Sequence, residues 1–171
     1  MSAKRKNIVE IAFASTAMAR VFAPQSGGQI CQRLESALEQ LESAPYQTVH
    51  KEFCRWFISA IKTQDGGAPS FAQAAKVLDV AMKVMVSYCH LPNAATAQRV
   101  LHALHCGIDT GILRHLRQRH GVARGVVTLS AIDEQLYGEL QRCLRREASA
   151  RGLLAVEYDD ELWREVNRAG R

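Results

Sequence analysis

Two residues stand out for the chemistry they could do: Lys76, set in an otherwise largely apolar stretch, and Asp109, at the end of a His-Cys-Gly-Ile-Asp run. An amine among apolar neighbours is costly to keep charged, so its pKa falls and its neutral, nucleophilic form becomes accessible. Such a lysine can form a Schiff base with a sugar carbon. Asp109 offers the complementary group, a carboxylate able to stabilise a growing positive charge. Plainer roles are open to both. Lys76 can snorkel to solvent beside Lys83, one heptad further on, and Asp109 can cap the helix that follows it.

A second cluster, Cys89, His90, His102, His105 and Cys106, carries ligand-type side chains, with His102 and Cys106 spaced i,i+4. Four of these could in principle meet a zinc ion, but the spacing fits no finger or knuckle pattern. Buried thiols and capping histidines explain the same residues more simply, so no metal is expected.

The elements that must position these groups read as helices throughout. Ile8, Ile11, Ala12, Met18, Ala19 and Phe22 follow helical spacing up to Pro24. Ile30, Leu34, Leu38 and Leu41 mark a second helix closed by Ala44-Pro45, and a third runs from Tyr46 to Lys62. Gln64 to Ser70 is the sharpest break in the chain. Ser70 can cap a helix from Phe71 to His90 that is apolar on nearly all sides and should therefore sit centrally. Leu91-Pro92-Asn93 stops it, a short helix spans Ala94 to Leu104, and another runs from Thr110 to Arg117 after the Asp109 turn. A loop covers Gly121 to Leu129. Ser130 with Asp133 resembles a capping box for a long helix to about Arg151, and a last helix holds Glu161, Leu162, Trp163 and Val166. With no alternating strand pattern, the fold class expected is all-α, a single domain over residues 1–171 of about eight helices.

The bulk composition agrees. A 171-residue chain with 47% hydrophobic and 23% charged residues is an ordinary globular domain rather than a disordered or fibrous chain. The odd set of five cysteines, without a signal peptide before them, predicts free thiols in a reducing compartment and hence a cytoplasmic protein. No stretch is long and apolar enough for a membrane span. The excess of 22 Lys and Arg over 17 Asp and Glu favours a polyanionic partner.

The segment Lys76-Val77-Leu78-Asp79-Val80-Ala81-Met82, with Cys106-Gly107-Ile108-Asp109-Thr110 after it, resembles the catalytic segments of the helix-hairpin-helix (HhH-GPD) DNA glycosylases. There a Lys-Val-x-Asp helix start supplies an amine, and a Pro-x-Asp-Thr-like turn supplies a carboxylate. The stretch from Lys76 to Asp109 is longer than in the common members and closest to the archaeal 8-oxoguanine DNA glycosylases. The resemblance implies a base-excision enzyme with an HhH-glycosylase-like fold and DNA as partner. Such an enzyme flips a base from the duplex; Lys76 would attack the sugar C1′ and Asp109 would stabilise the charge that grows as the base leaves, with no cofactor. Gln73, one turn before the lysine, is placed to read a base edge, and Trp56 to stack on it. His105 would orient the carboxylate or touch a phosphate. Arg114, Arg117, Arg119 and Arg124 would hold the phosphate backbone.

Two departures from the family pattern are plain. Gly66-Gly67 is followed by Ala-Pro-Ser-Phe-Ala-Gln-Ala instead of a Gly-Val-Gly type phosphate-binding hairpin, and Cys106-Gly107 replaces the proline-containing turn. The alternative reading is a non-catalytic helical module that binds nucleic acid or protein. A related one is a subunit of a larger assembly docking through Leu162, Trp163 and Val166 in the C-terminal helix.

Overall fold

The computed structural model describes residues 3–168, with side chains as far as residue 165. Among these residues are eight α-helices and no strand: α1 (Ala3–Ser15), α2 (Ser26–Gln40), α3 (Tyr46–Ala60), α4 (Phe71–Met82), α5 (Ala94–Val100), α6 (Thr110–His120), α7 (Glu134–Ala150) and α8 (Ala155–Arg168). None is long and apolar enough to cross a membrane. The expected all-α class is therefore the observed one.

The central element is α4. Ser70 caps it reciprocally: its Oγ accepts from the Gln73 amide at 3.1 Å, and Gln73 Oε1 accepts from the Ser70 amide at 2.8 Å. Small residues at 72, 74, 75 and 81 let neighbouring helices approach closely, and α4 packs against α1, α2, α3 and α7. Helices α6, α7 and α8 pack on one another as a second group, which meets the first where α7 lies on α4. One contiguous buried cluster runs through both groups, from Val9 to Leu162.

Three boundaries differ from the sequence reading. Helix α1 stops at Ser15 instead of continuing to Phe22. Thr16 Oγ1 donates to the Phe13 carbonyl at 2.8 Å and Ala17 takes a positive φ of 55°, so the chain turns seven residues early. The long helix expected to reach His90 is α-helical only to Met82. Residues Lys83–Tyr88 then form a wider π-type turn, in which the Cys89 amide bonds the Val84 carbonyl at 3.1 Å. Helix α7 is capped by Asp133, whose carboxylate accepts from the Leu136 amide at 2.9 Å, whereas Ser130 lies in a separate 3₁₀ turn. The expected Ser130 box does not form.

Glu147 on α7 ties the second group together. Its carboxylate accepts from Tyr158 on α8 and from His115 at 3.0 Å and His120 on α6, and Arg119 Nε lies 3.1 Å away. Burial alone would raise its pKa, but the hydrogen bonds from Tyr158, His115 and His120 hold it down at about 2. A carboxyl depressed in the folded state contributes stability that is present above its unfolded pKa, and this stability is lost as pH falls through the folded value. Between roughly pH 4.5 and 2 the native chain should therefore lose on the order of 1–2 kcal/mol through this group, after discounting for partial solvent screening. Urea unfolding of Glu147→Gln across that window should give a flatter acid limb than the native chain. Identical limbs would show that Glu147 is not the titrating tie.

Candidate active site

The turn that carries Asp109 is held on three sides. Gln141 on α7 pairs with Cys106 through both backbone groups, donating to its carbonyl at 2.7 Å and accepting from its amide at 3.3 Å. Arg145 donates to the carbonyls of His102, Ala103 and Leu104, the shortest bond being 2.8 Å to Ala103. Gly107 lies so close to α4 that a Cβ there would stand 2.8 Å from Val80 Cγ2. The Cys-Gly pair that departs from the family pattern is thus what lets this turn seat on α4.

Lys76, in the second turn of α4, and Asp109 line one cleft of about 380 Å³. Its other walls come from Ser15 to Ala17 at the end of α1, from Lys83 and Tyr88, and from Asp159, Asp160 and Trp163 on α8. Burial pushes the Lys76 ammonium below its ordinary pKa, opposed by the charge of Asp109 and then that of Asp159. Asp109 also caps α6, accepting from the Ile112 amide at 2.8 Å through one oxygen. The plainer reading of Asp109, as the N-cap of α6, is the one observed, and its second oxygen is not used in the cap.

Lys83 is not part of a wet stripe with Lys76. Its ammonium pairs with Asp159, and with Asp160 at 3.0 Å, while Tyr88 donates to Asp160 at 2.6 Å. Residues five apart on an α-helix point different ways, but the i→i+5 bonding of the π turn brings Lys83 and Tyr88 onto one face, where both reach Asp160. Asp159, largely buried, has its pKa raised by that burial against the lowering effect of Lys83, and it also accepts from the Cys106 thiol at 3.2 Å. Sequence reasoning missed Lys83, Asp159 and Asp160 as cleft residues. The adjacent Asp159-Asp160 pair, one turn before the apolar Leu162-Trp163, was a signal available in the sequence.

Several expected site residues lie elsewhere. Gln73 spends its side chain on the Ser70 cap and lines a separate surface hollow with Thr63 and Asp65. Trp56 packs on Phe53 and Phe57, with the Arg33 guanidinium 5.6 Å from its ring centroid. His105 turns away from Asp109 and bonds Tyr137 Oη at 2.8 Å. Arg117 is drawn to the Val126 carbonyl at 2.9 Å and Arg119 to Glu147, leaving Arg114 and Arg124 as the exposed arginines of that run without such a tie. Leu162 is fully buried in the core, so it offers no docking surface, whereas Trp163 is 55% exposed at the cleft mouth. The side chain of Val166 lies outside the described residues.

The loop before α4 is closed on itself. Asp65 Oδ1 accepts from Thr63 Oγ1 and from the Gly67 amide at 3.3 Å, and Thr63 Oγ1 also bonds the Gly67 carbonyl at 3.0 Å. An internal carboxylate thus occupies the Gly67 amide. The cysteine-histidine cluster separates as well: Cys89, His90 and His102 are exposed, and the Cys106 thiol is turned to Asp159. No protein-family model, curated protein or solved structure matches this chain.

Proposed function

We propose that this cleft excises a base from DNA by cleaving its N-glycosidic bond, with Lys76 as nucleophile and Asp109 as its electrostatic partner, as in the HhH-GPD glycosylases that the two segments resemble. The observation that carries this reading is that a lysine whose burial favours the neutral amine and a carboxylate with one oxygen not used in capping line the same cleft. A base flipped out of the duplex brings its sugar to the amine. The Lys76 nitrogen bonds C1′, the C1′–N bond breaks, and its electron pair leaves with the base. The proton lost by the attacking amine neutralises the departing base. Asp109 opposes the positive charge that develops on the sugar in between. The exposed Arg114, one turn beyond Asp109, and Arg124 are the cations available for a phosphate backbone.

Borohydride trapping on duplex DNA carrying a panel of altered bases tests this directly. The native chain should yield a covalent protein–DNA adduct on at least one substrate, and Lys76→Gln should yield none while keeping the native helical circular dichroism. Absence of both adduct and abasic product on every substrate removes the lysine mechanism. The second reading, a non-catalytic helical module binding nucleic acid or protein away from this cleft, is favoured by the acidic pair Asp159-Asp160 in the cleft wall, which repels a phosphate backbone there. In that case DNA binding would survive Lys76→Gln with no chemistry in either chain.

A further inference from the structure

Beside the cleft but not lining it, α3, α4, α7 and the 105–109 turn converge on one buried carboxylate. Asp79 Oδ1 lies 3.2 Å from His50 Nε2 and 3.7 Å from His105 Nδ1, and the three atoms fall within 4.8 Å of one another. Tyr137 Oη sits against all three residues, 3.2 Å from His50 Nε2, 2.8 Å from His105 Nδ1 and 2.6 Å from Asp79 Oδ2. Nitrogen and oxygen ligands at ordinary zinc distances form tetrahedron edges of about 3.3–3.5 Å. The distances from Asp79 Oδ1 to His50 and His105 bracket that figure, and Tyr137 Oη would move outward from its hydrogen bonds to join them.

Charge gives the second reason. The Asp79 side chain is 0% exposed, and among the described residues no lysine or arginine pairs with it. Two tyrosine hydroxyls donate to it, Tyr46 at 3.0 Å and Tyr137. Neutral hydrogen bonds do not cancel a buried charge, whose desolvation costs several kcal/mol unless a counter-charge is present. His105 turns Nδ1, an imidazole nitrogen able to give a lone pair, toward the same carboxylate. The outer ring nitrogen of His50, Nδ1, faces Cys54 Sγ at 3.9 Å, an orientation that leaves Nε2 directed inward. An access route exists, because a surface hollow lined by Gln47, Phe71 and Arg145 also reaches His50, His105 and Tyr137.

We propose that His50, Asp79, His105 and Tyr137 form a binding site for one divalent transition-metal ion, zinc by the chemistry of the donor set. The ion would join α3, α4 and α7 to the turn that carries Asp109. This set shares only His105 with the cysteine-histidine cluster apparent in the sequence, and it does not depend on the glycosylase reading.

Chelator-stripped chain titrated with zinc chloride should bind one equivalent and melt about 5 °C higher. His105→Ala, at the least buried of the two histidines, should weaken zinc binding at least a hundredfold. His50→Gln is the second variant if that one fails to fold. A double His115→Ala, His120→Ala control at Glu147 should leave the affinity unchanged. Cobalt(II) loaded into the native chain should give the visible bands of a tetrahedral nitrogen-oxygen site, with no thiolate charge-transfer band. Less than a tenth of an equivalent bound, native affinity in the folded His105 or His50 variant, loss of binding in the control, or a thiolate band would each overturn the site.

Discussion

Asp79→Ala, measured by urea unfolding in the presence of a chelator, should cost the fold about 2 kcal/mol, the lost hydrogen bonds outweighing the relief of a buried charge. The substitution removes the partner of His50 Nε2 and the acceptor that Tyr46 and Tyr137 both use, leaving the buried Tyr46 hydroxyl unpaired and Tyr137 with only the imidazole nitrogens of His50 and His105. Each buried donor left without an acceptor costs roughly 1–3 kcal/mol, and the vacated volume adds a cavity penalty. Carrying out the measurement without metal separates the hydrogen-bond role from any ion. A loss below about 1 kcal/mol would mean that the phenols find other acceptors and that the carboxylate does not organise this part of the core.

Asp109→Asn should separate the two roles of that residue. An asparagine oxygen can still accept from the Ile112 amide, so the cap on α6 persists and stability should change by less than about 0.5 kcal/mol. The negative charge, however, is gone. If Asp109 stabilises a positive sugar during base release, single-turnover excision should slow by about 10²–10³-fold, the scale on which one preorganised electrostatic contact acts. Asp109→Ala should lose the same rate and also about 1 kcal/mol of stability. Native rates in Asp109→Asn would reduce the residue to a helix cap, whatever Lys76 does.

Which parts of the molecule were legible in its sequence follows from the range of the interactions involved. Ser70, Asn93 and Asp109 all act as the N-caps their types suggest, because a cap needs only its own residue and the next three. Lys76 and Asp109 line one cleft, each carried on an element whose helical character is local. The fates of Gln73, Trp56 and His105 were not legible. Gln73 was claimed by the cap three residues away, a local competition that reading it as a base-edge contact overlooked. His105 and Trp56 were claimed by partners distant in the chain: Tyr137 for one, and Arg33 of the neighbouring helix for the other. The early end of α1 turned on a threonine hydroxyl competing for a backbone carbonyl, a contest that hydrophobic spacing does not register.

The cleft walls have a further consequence during synthesis. Its lining extends from Ser15 in the first helix region to Trp163 in the last, with Lys76 and Asp109 between them. On the ribosome Lys76 emerges long before α8 exists to close over Lys83, so a nascent chain holds Lys76 and Asp109 without the wall that α8 supplies. The cleft is complete only once residue 163 has left the exit tunnel.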